Sequence, residues 1–310
     1  MKKRHVKTIS LFRLMEKYPT KEEAIRYFEH LRWGNKPHCV KCGNTEGLTE
    51  QTKYPGRYWC KSSRGYFTAL TDTPLEYTKV DLRKWIFAAY LLMTARKGIS
   101  SLQLSKELDV SQPTAWYMLH RLRLACGSDM EALKGIVEVD ETFLGGLEKN
   151  KHESKKLHAG RGPVGKTCIL GMRERGGKTK AMPVERRDAE TLEKEISENV
   201  IKGSIVFTDE HKGYSGLLGK DFEHGTVNHS AKEFVNGMAS TNGIESVWAV
   251  LKRGYNGVYH NWSKKHMRQY INEFAFRLNE GSCKVDTEDR LDSLFKAMPR
   301  KTITFEELTS

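Results

Sequence analysis

The chain has 310 residues, 38% of them hydrophobic, and a formal net charge of +13. This length is typical of two domains or slightly more, and the apolar content is enough to form a core. The longest apolar run, residues 85–93, is too short to cross a bilayer, and the basic N-terminus precedes no apolar signal sequence, so membrane and secreted classes are excluded.

The positive charge is concentrated in the N-terminal part of the chain. Residues 1–130 contain 23 Lys and Arg against 12 Asp and Glu, a net charge of +11, whereas residues 131–310 have a net charge of +2. We therefore expect a polyanion such as nucleic acid to bind residues 1–130, although charge alone does not separate DNA from RNA or from ribosomes. The six cysteines, in a chain without a secretory signal, indicate a reducing, cytoplasmic compartment and a metal site rather than a disulfide framework.

The cysteines of the N-terminal region have the spacing of a zinc ribbon. Cys39 and Cys42 form a C-x2-C knuckle, and Cys60 begins a second knuckle whose fourth position is occupied by Ser63, a poor zinc ligand. Zn²⁺ bound by the three cysteines is one interpretation. The alternative is a degenerate ribbon that binds no metal and is stabilised by four aromatic residues, Tyr58, Trp59, Tyr66 and Phe67.

Three helical patterns follow, at residues 81–98, 100–110 and 111–125. The short second helix, a tight turn at Asp109 and a third helix capped by Ser111 predict a helix-turn-helix. The helix at 111–125 is the second helix of this motif, and it carries the candidate DNA-contacting residues, which are Gln112, Thr114, Tyr117, Arg121 and Arg123. The alternative is a three-helix packing unit without a DNA-binding role.

From residue 135 the pattern changes to strands, and the predicted order is β-β-β-α-β-β-α-α. Two of the predicted strands end in acid, at Asp140 and Asp209, and a later helix offers Glu245. Adjacent strands of one sheet would bring such ends together. Three converging carboxylates cannot all stay charged without a cation, so two divalent ions are expected there. Alternation along the strand predicts that Glu138 shares the face of Asp140 and that Glu141 points away.

The helix that carries Glu245 spans residues 241–254 and is amphipathic. Its apolar face consists of Ile244, Val247, Trp248 and Leu251. Glu245 and Lys252 are seven residues apart, so they point in nearly the same direction on the border of this face. The pair is either an ordinary solvated helix flank or part of a site.

These residues resemble the DDE signature of bacterial insertion-sequence transposases. The resemblance rests on Asp140 and Asp209, on the 35 residues between Asp209 and Glu245, and on Lys252 seven residues later. The segments "VDETFLGG", "TDEHKGY" and "TNGIESVWAVLKRG" are similar to the ISXO-like branch, which is related to Merlin elements. The resemblance covers roughly residues 20–300, and Ser63 departs from its ribbon pattern.

The resemblance implies an α/β RNase H-like catalytic domain, with a mixed sheet and flanking helices, preceded by a zinc-ribbon-like hairpin and a helix-turn-helix. The expected domains are a zinc-ribbon module at 1–75, the helix-turn-helix at 76–130, the catalytic domain at 131–282 and a C-terminal tail at 283–310. A lysine- and glycine-rich loop at 147–166 is either a mobile DNA-contacting flap or a solvated linker.

The implied function is a transposase, found in the cytoplasm with the nucleoid, that cuts and joins double-stranded DNA at transposon ends. Asp140, Asp209 and Glu245 would hold two Mg²⁺ or Mn²⁺ ions, and Lys252 would hold a DNA phosphate. A homodimer or larger assembly on DNA is expected, because transposition needs two ends held together. The alternatives are a domesticated, non-cutting DNA-binding regulator and a metal-dependent nuclease without strand transfer.

Overall fold

The computed structural model describes residues 7–34, 36–127, 131–146, 152–157, 163–209, 214, 221–227, 241–280, 285–299, 301 and 303–310. The chain divides into two compact units, the first made of Met1–Ser128 with Glu280–Ser310 and the second of Asp129–Asn279. The C-terminal segment, expected to be a tail, thus belongs to the first unit. Half of the loop expected to be a flap, residues 147–151 and 158–162, lies outside the described residues.

The described elements follow the predicted order. The first are α1 (Leu11–Lys17), α2 (Lys21–Trp33), β1 (Leu48–Glu50), β2 (Tyr58–Cys60), β3 (Gly65–Phe67), α3 (Leu82–Thr94), α4 (Ser101–Leu108) and α5 (Gln112–Cys126). The second unit forms β4 (Ile136–Leu144), β5 (Thr167–Glu174), β6 (Thr179–Val184), α6 (Ala189–Asn199), β7 (Ile205–Asp209), β8 (Glu223–Val227), α7 (Asn242–Gly254) and α8 (Met267–Glu280). Two further helices are α9 (Thr287–Lys296) and α10 (Phe305–Thr309). A π-helical turn, Tyr255–Tyr259, continues α7. Within the described part of the chain, no helix is long and apolar enough to span a bilayer.

In the first unit, β1, β2 and β3 form an antiparallel sheet whose two faces differ. Tyr58 and Phe67 lie on the inner face, where they are buried and pack edge-on against Trp33. Trp59 and Tyr66 lie on the outer face and are exposed. Only the inner pair of these four residues therefore belongs to the core of the ribbon. In the alternative of a metal-free ribbon, Trp59 and Tyr66 would contribute through their contact on the exposed face.

The second unit is built on a mixed sheet with the strand order β6-β5-β4-β7-β8 among the described residues. Strands β4, β5 and β6 pair antiparallel, whereas β7 pairs parallel to β4 and β8 pairs parallel to β7. The predicted element order and the mixed sheet with flanking helices are confirmed. One apolar cluster includes Leu192 and Ile196 of α6, and a separate cluster on the other face of the sheet includes residues of α7 and α8.

Helix α7 packs closely against the centre of this sheet, and a glycine permits the contact. Gly171 on β5 lies opposite Asp140 of β4. A Cβ atom at Gly171 would lie 2.3 Å from Cη2 of Trp248 and 2.9 Å from Cδ1 of Ile244. The absence of a side chain at this position therefore lets the Trp248 ring approach the backbone of β5 beside Asp140.

The substitution Gly171→Ala is expected to destabilise the second unit by about 1–3 kcal/mol, because overpacking a dense core forces side chains to shift. Urea unfolding followed by tryptophan fluorescence measures this loss. Gly146→Ala is the matched control, since a Cβ atom there meets nothing within 4 Å. Equal stability of the two variants would show that Trp248 does not pack as described.

Candidate active site

Two aspartates meet at the edge of the second-unit sheet. The parallel register pairs Glu138 with Phe207, so continuing it by two residues places Asp140 beside Asp209. Asp140, Glu141 and Asp209 each have one carboxylate oxygen that lies within 4.8 Å of the corresponding oxygens of the other two. The prediction that adjacent strands bring Asp140 and Asp209 together is therefore confirmed, and the cause is the parallel pairing of β4 with β7.

Glu141 joins this cluster, contrary to the expectation that it points away. The alternation itself holds, because Glu141 leaves the sheet on the side opposite Asp140 and its side chain is almost fully buried beside Arg187, at 3.4 Å. Its carboxylate nevertheless stays close to the two aspartates, because adjacent residues at a strand end are separated by only a few ångströms. Strand alternation describes the direction of a side chain and does not exclude such proximity.

Glu245 lies in the first turn of α7 and is exposed to solvent. The hydroxyl of Thr241 donates a hydrogen bond to its Oε1 at 3.2 Å. The charge of Glu245 reaches Asp140, whose pKa it helps to raise. Among the described residues, Glu245 is not part of the group of carboxylates within 4.8 Å of one another, which consists of Asp140, Glu141 and Asp209. The third carboxylate of the signature is therefore accessible from solvent and lies outside that group.

The pKa values of the cluster reflect the cost of burying charge. Burial raises the pKa of Asp140, with a further contribution from the charges of Asp209 and Glu245, while hydrogen bonds from the Trp248 indole and a backbone N–H oppose the shift. Burial also raises the pKa of Glu141 to about 7. Burial therefore disfavours the charged forms of Asp140 and Glu141.

Helix α7 is attached to the sheet through its N-terminal turn. The N-cap residue Thr241 makes no side-chain capping hydrogen bond. Glu138 caps the helix instead, because its Oε2 accepts a hydrogen bond from the backbone N–H of Ile244 at 3.0 Å. Arg175 holds the other carboxylate oxygen at 3.2 Å. Gly243 leaves room for Glu138, because a Cβ atom there would lie 2.4 Å from Oε2.

Two further contacts fasten α7 to the strands. Arg173 on β5 donates to the carbonyl of Gly243 at 2.9 Å and to the hydroxyl of Ser246 at 3.1 Å. The Trp248 indole donates to Oδ2 of Asp140 at 2.9 Å. Sequence patterns assigned Trp248 only to the apolar face and gave no signal for Arg173, because hydrogen bonds between distant segments leave no periodic trace.

The apolar face of α7 is as predicted, with Ile244, Val247, Trp248 and Leu251 all buried. Glu245 and Lys252 are both exposed beside it. The clustered carboxylates of Asp140, Glu141 and Asp209 supply oxygen ligands from two strands, which is the donor type that Mg²⁺ and Mn²⁺ prefer. The residues therefore fit a divalent cation.

The cysteines of the ribbon form a second candidate metal centre. The sulfur atoms of Cys39, Cys42 and Cys60 lie within 4.8 Å of one another. Ser63 completes the group, since its Oγ lies 3.3 Å from the sulfur of Cys39 and its backbone N–H donates to the sulfur of Cys60. Hydrogen bonds from Ser63 lower the pKa of Cys60 to about 6, which favours the thiolate form. A cluster of three cysteines fits Zn²⁺.

Helix α5 carries the residues expected to contact DNA, and it follows α4 after a turn in which Asp109 has a left-handed conformation, with φ of 49°. Gln112 at its start is exposed and donates to the hydroxyl of Ser101. Thr114 and Tyr117 are half-buried, and the Tyr117 hydroxyl donates to the carbonyl of Ile303 at 2.6 Å. The start of α5 is therefore accessible at Gln112, while Tyr117 is engaged by the C-terminal segment.

Arg121 and Arg123 are not on the surface, contrary to the expectation that they contact DNA. They are 4% and 1% exposed. Arg121 donates to the backbone carbonyl of Glu76 at 2.7 Å, and its guanidinium lies over the ring of Tyr117. Both arginines therefore support the packing of the first unit, and the prediction was wrong because a basic residue on a helix can be buried when carbonyls and rings surround it.

Comparisons with known proteins agree with this arrangement. Residues 132–279 match the ISXO2-like transposase domain, and residues 19–63 match the transposase zinc-ribbon domain. A protein named "Uncharacterized protein in transposable element ISH50", from Halobacterium salinarum, is 28% identical over 272 residues, which cover 84% of this chain and 91% of that protein. An "Uncharacterized transposase-like protein" from Haemophilus influenzae is 34% identical over 92 residues, which cover 29% of this chain and 71% of that protein.

A zinc-ribbon module and an acidic cluster at the edge of a mixed sheet, together with these matches, define a protein of the transposase class. More specifically, the chain belongs to the family of ISXO2-like insertion-sequence transposases.

The substitution Glu138→Ala is expected to loosen the first turn of α7, because the Ile244 N–H and Arg175 lose their acceptor. Leaving a buried hydrogen-bonding group unpaired costs about 1–3 kcal/mol. Hydrogen exchange should accelerate selectively at the start of α7. The matched control is Glu273→Ala, which removes a buried carboxylate paired with Arg277. Equal exchange at the start of α7 in the two variants would contradict the capping role of Glu138.

The substitution Ser63→Cys is expected to raise the affinity of the ribbon for Zn²⁺ by at least about tenfold, since it supplies a fourth thiolate where the hydroxyl now lies. Competition with a chromogenic chelator measures this affinity. Ser62→Cys is the control, because the neighbouring Ser62 is exposed and accepts a bond from Asn44. An equal gain in Zn²⁺ affinity in both variants would argue that Ser63 does not occupy the fourth ligand position of the zinc site.

Proposed function

We propose that this protein cuts DNA at the ends of its own insertion sequence and joins the freed 3′-hydroxyl to target DNA. The observation that carries the proposal is the placement of Asp140 beside Asp209 on adjacent parallel strands. Glu245 lies on α7, whose first turn is hydrogen-bonded to Glu138 of the same strand as Asp140. The strand order and pairing directions support the RNase H-like architecture that the family resemblance implies.

The mechanism assigns a role to each side chain. Asp140, Asp209 and Glu245 would hold two Mg²⁺ or Mn²⁺ ions. These ions, when bound, activate the attacking oxygen and stabilise the leaving oxygen. The Trp248 indole keeps Asp140 oriented through its hydrogen bond. Lys252, two turns beyond Glu245 on the same side of α7, would hold a DNA phosphate near the cut as a point charge.

The attack is direct, so no residue of the chain becomes covalently attached to DNA. Water attacks the phosphodiester at the transposon end and expels a 3′-hydroxyl, leaving a 5′-phosphate on the other fragment. This 3′-hydroxyl then attacks a phosphodiester of the target, forms the new bond to its phosphorus and expels a 3′-hydroxyl of the target strand. Two ends must be held together for this sequence of steps, which favours a homodimer or larger assembly on double-stranded DNA. A cytoplasmic location with the nucleoid follows from that substrate.

The helix-turn-helix role of α4 and α5 is part of the proposal. The accessible contact residues are Gln112 and Thr114 at the start of α5, with Tyr117 available once the C-terminal segment moves away. Arg121 and Arg123 are excluded, because they are buried. The proposed domains are the ribbon module at 1–75, the helix-turn-helix at 76–130 and the catalytic domain at 131–282.

A supercoiled plasmid carrying both ends of the element, incubated with the protein and Mg²⁺, tests the function. Joined products support a transposase, hydrolysis alone indicates a nuclease, and binding alone indicates a regulator. Asp140→Asn and Asp209→Asn should each reduce cleavage by more than about 100-fold, beyond the 10–100-fold effect typical of losing an outer-shell partner.

The matched control is Asp221→Asn, which neutralises an exposed aspartate at the opposite end of the parallel strands. It should leave cleavage close to that of the unaltered protein. Wild-type cleavage by Asp140→Asn in Mg²⁺ would overturn the assignment of the carboxylates.

A further inference from the structure

The outer face of the ribbon sheet carries a pair of aromatic rings that the packing of the unit does not use. Trp59 on β2 pairs directly with Tyr66 on β3, and their ring centroids are 4.8 Å apart. They are 36% and 43% exposed. By contrast, the side chains of Trp33, Trp85, Trp248 and Trp262 are each at most 8% exposed. Trp59 is therefore unusual among the tryptophans of the chain in presenting its ring to solvent.

Cationic groups lie against Tyr66 and against the nearby ring of Tyr54. The guanidinium of Arg57 lies 4.1 Å from the ring centroid of Tyr66 and 5.8 Å from that of Tyr54. Lys53 lies 5.7 Å from the centroid of Tyr54, whose side chain is 50% exposed. We call the surface formed by Lys53, Tyr54, Arg57, Trp59 and Tyr66 the ribbon face.

The nearest acidic residue of the sheet is turned away from the ribbon face. Glu50 follows Thr49 on β1, and Thr49 pairs with Trp59, so Glu50 lies on the other side of the sheet. There its carboxylate accepts from Arg26 at 2.9 Å and from the backbone N–H of Gly56 at 2.8 Å. The ribbon face thus combines stacking surfaces with positive charge, and the charge of Glu50 is compensated elsewhere.

A cross-strand aromatic pair by itself would only stabilise the sheet. The added cations make the surface complementary to a ligand that has both flat apolar faces and negative charge. Single-stranded nucleic acid has both, because its bases can stack on aromatic rings while its phosphates contact Arg and Lys. The bases of an intact duplex are already stacked on one another, so their faces are closed to these rings.

We propose that the ribbon face binds single-stranded DNA through stacking of unpaired bases on Trp59 and Tyr66 and contact of phosphates with Arg57 and Lys53. This inference rests on the proposed function, in which a DNA strand is cut at a transposon end and its 3′-hydroxyl is joined to target DNA. It adds a substrate form, the opened DNA strand beside the cut, and assigns the residues that hold it.

The test measures binding of fluorescein-labelled (dT)12 to the full-length, zinc-loaded protein without Mg²⁺, so that no cleavage occurs. Trp59→Thr and Tyr66→Thr should each weaken binding by about tenfold, since each removes a ring on which a base stacks. Arg57→Gln should weaken binding less and reduce its salt dependence. Threonine suits a strand, and thermal unfolding with zinc content checks that each variant remains folded.

Two controls separate stacking from general effects. Phe12→Ala removes an aromatic ring that is 71% exposed on α1 of the same unit, and it should leave (dT)12 binding unchanged. Trp59→Phe keeps an aromatic ring, so it should bind within about threefold of the wild type. It should, however, lose the quenching of tryptophan fluorescence that (dT)12 causes. Quenching that persists in Trp59→Phe would place the ligand elsewhere and overturn the inference.

The same variants are then measured on a duplex transposon end and in the plasmid assay. The inference is supported if Trp59→Thr weakens (dT)12 binding while duplex binding stays within about threefold of the wild type. Equal weakening on both ligands, or tighter binding of an oligouridine than of (dT)12, contradicts it. Normal joining by a wild-type protein that does not bind (dT)12 overturns the inference and leaves the proposed function standing. A wild-type protein that neither binds nor cuts the element ends overturns the function instead.

Discussion

The hydrogen bond from the Ile244 backbone N–H to the buried carboxylate of Glu138 determines where the third carboxylate of the site lies. Helix α7 has no side-chain cap of its own, so the sheet supplies the acceptor. The N-terminal end of a helix carries a partial positive charge, which a buried carboxylate complements. Glu245 directly follows Ile244, and Glu138 lies two residues before Asp140 on β4. The position of Glu245 relative to Asp140 therefore depends on this hydrogen bond.

The carboxylates of the second unit are held together although they repel one another. The parallel pairing of β4 with β7 places Asp140 beside Asp209, and the peptide backbone adds Glu141. Burial raises the pKa values of Asp140 and Glu141, and the Trp248 indole offsets part of this effect at Asp140. A divalent cation would remove the repulsion, which explains how a stable fold can maintain an arrangement that is unfavourable for the protein alone.

The first unit shows that positive charge and DNA contact are separate properties of a residue. Arg121 and Arg123 contribute to the basic surplus, yet they are buried and serve packing. Arg57 is less conspicuous in the sequence, but it lies on an exposed ring at the surface of the ribbon. A count of basic residues indicates which unit is suited to a polyanion, whereas the residues that are accessible within that unit depend on how the helices and strands pack.

The sequence by itself determined the order of strands and helices, the apolar face of α7, the cysteine cluster and the two strand-end aspartates. Each of these follows from local periodicity or spacing along the chain. Only the tertiary structure decided that Glu141 joins the aspartates, that Glu138 caps α7, and that Trp59 and Tyr66 face solvent while Arg121 and Arg123 do not. The physical reason is that these properties depend on contacts between segments far apart in the chain. A repeating pattern reveals which way a side chain points along its own element, but not which distant group it meets there.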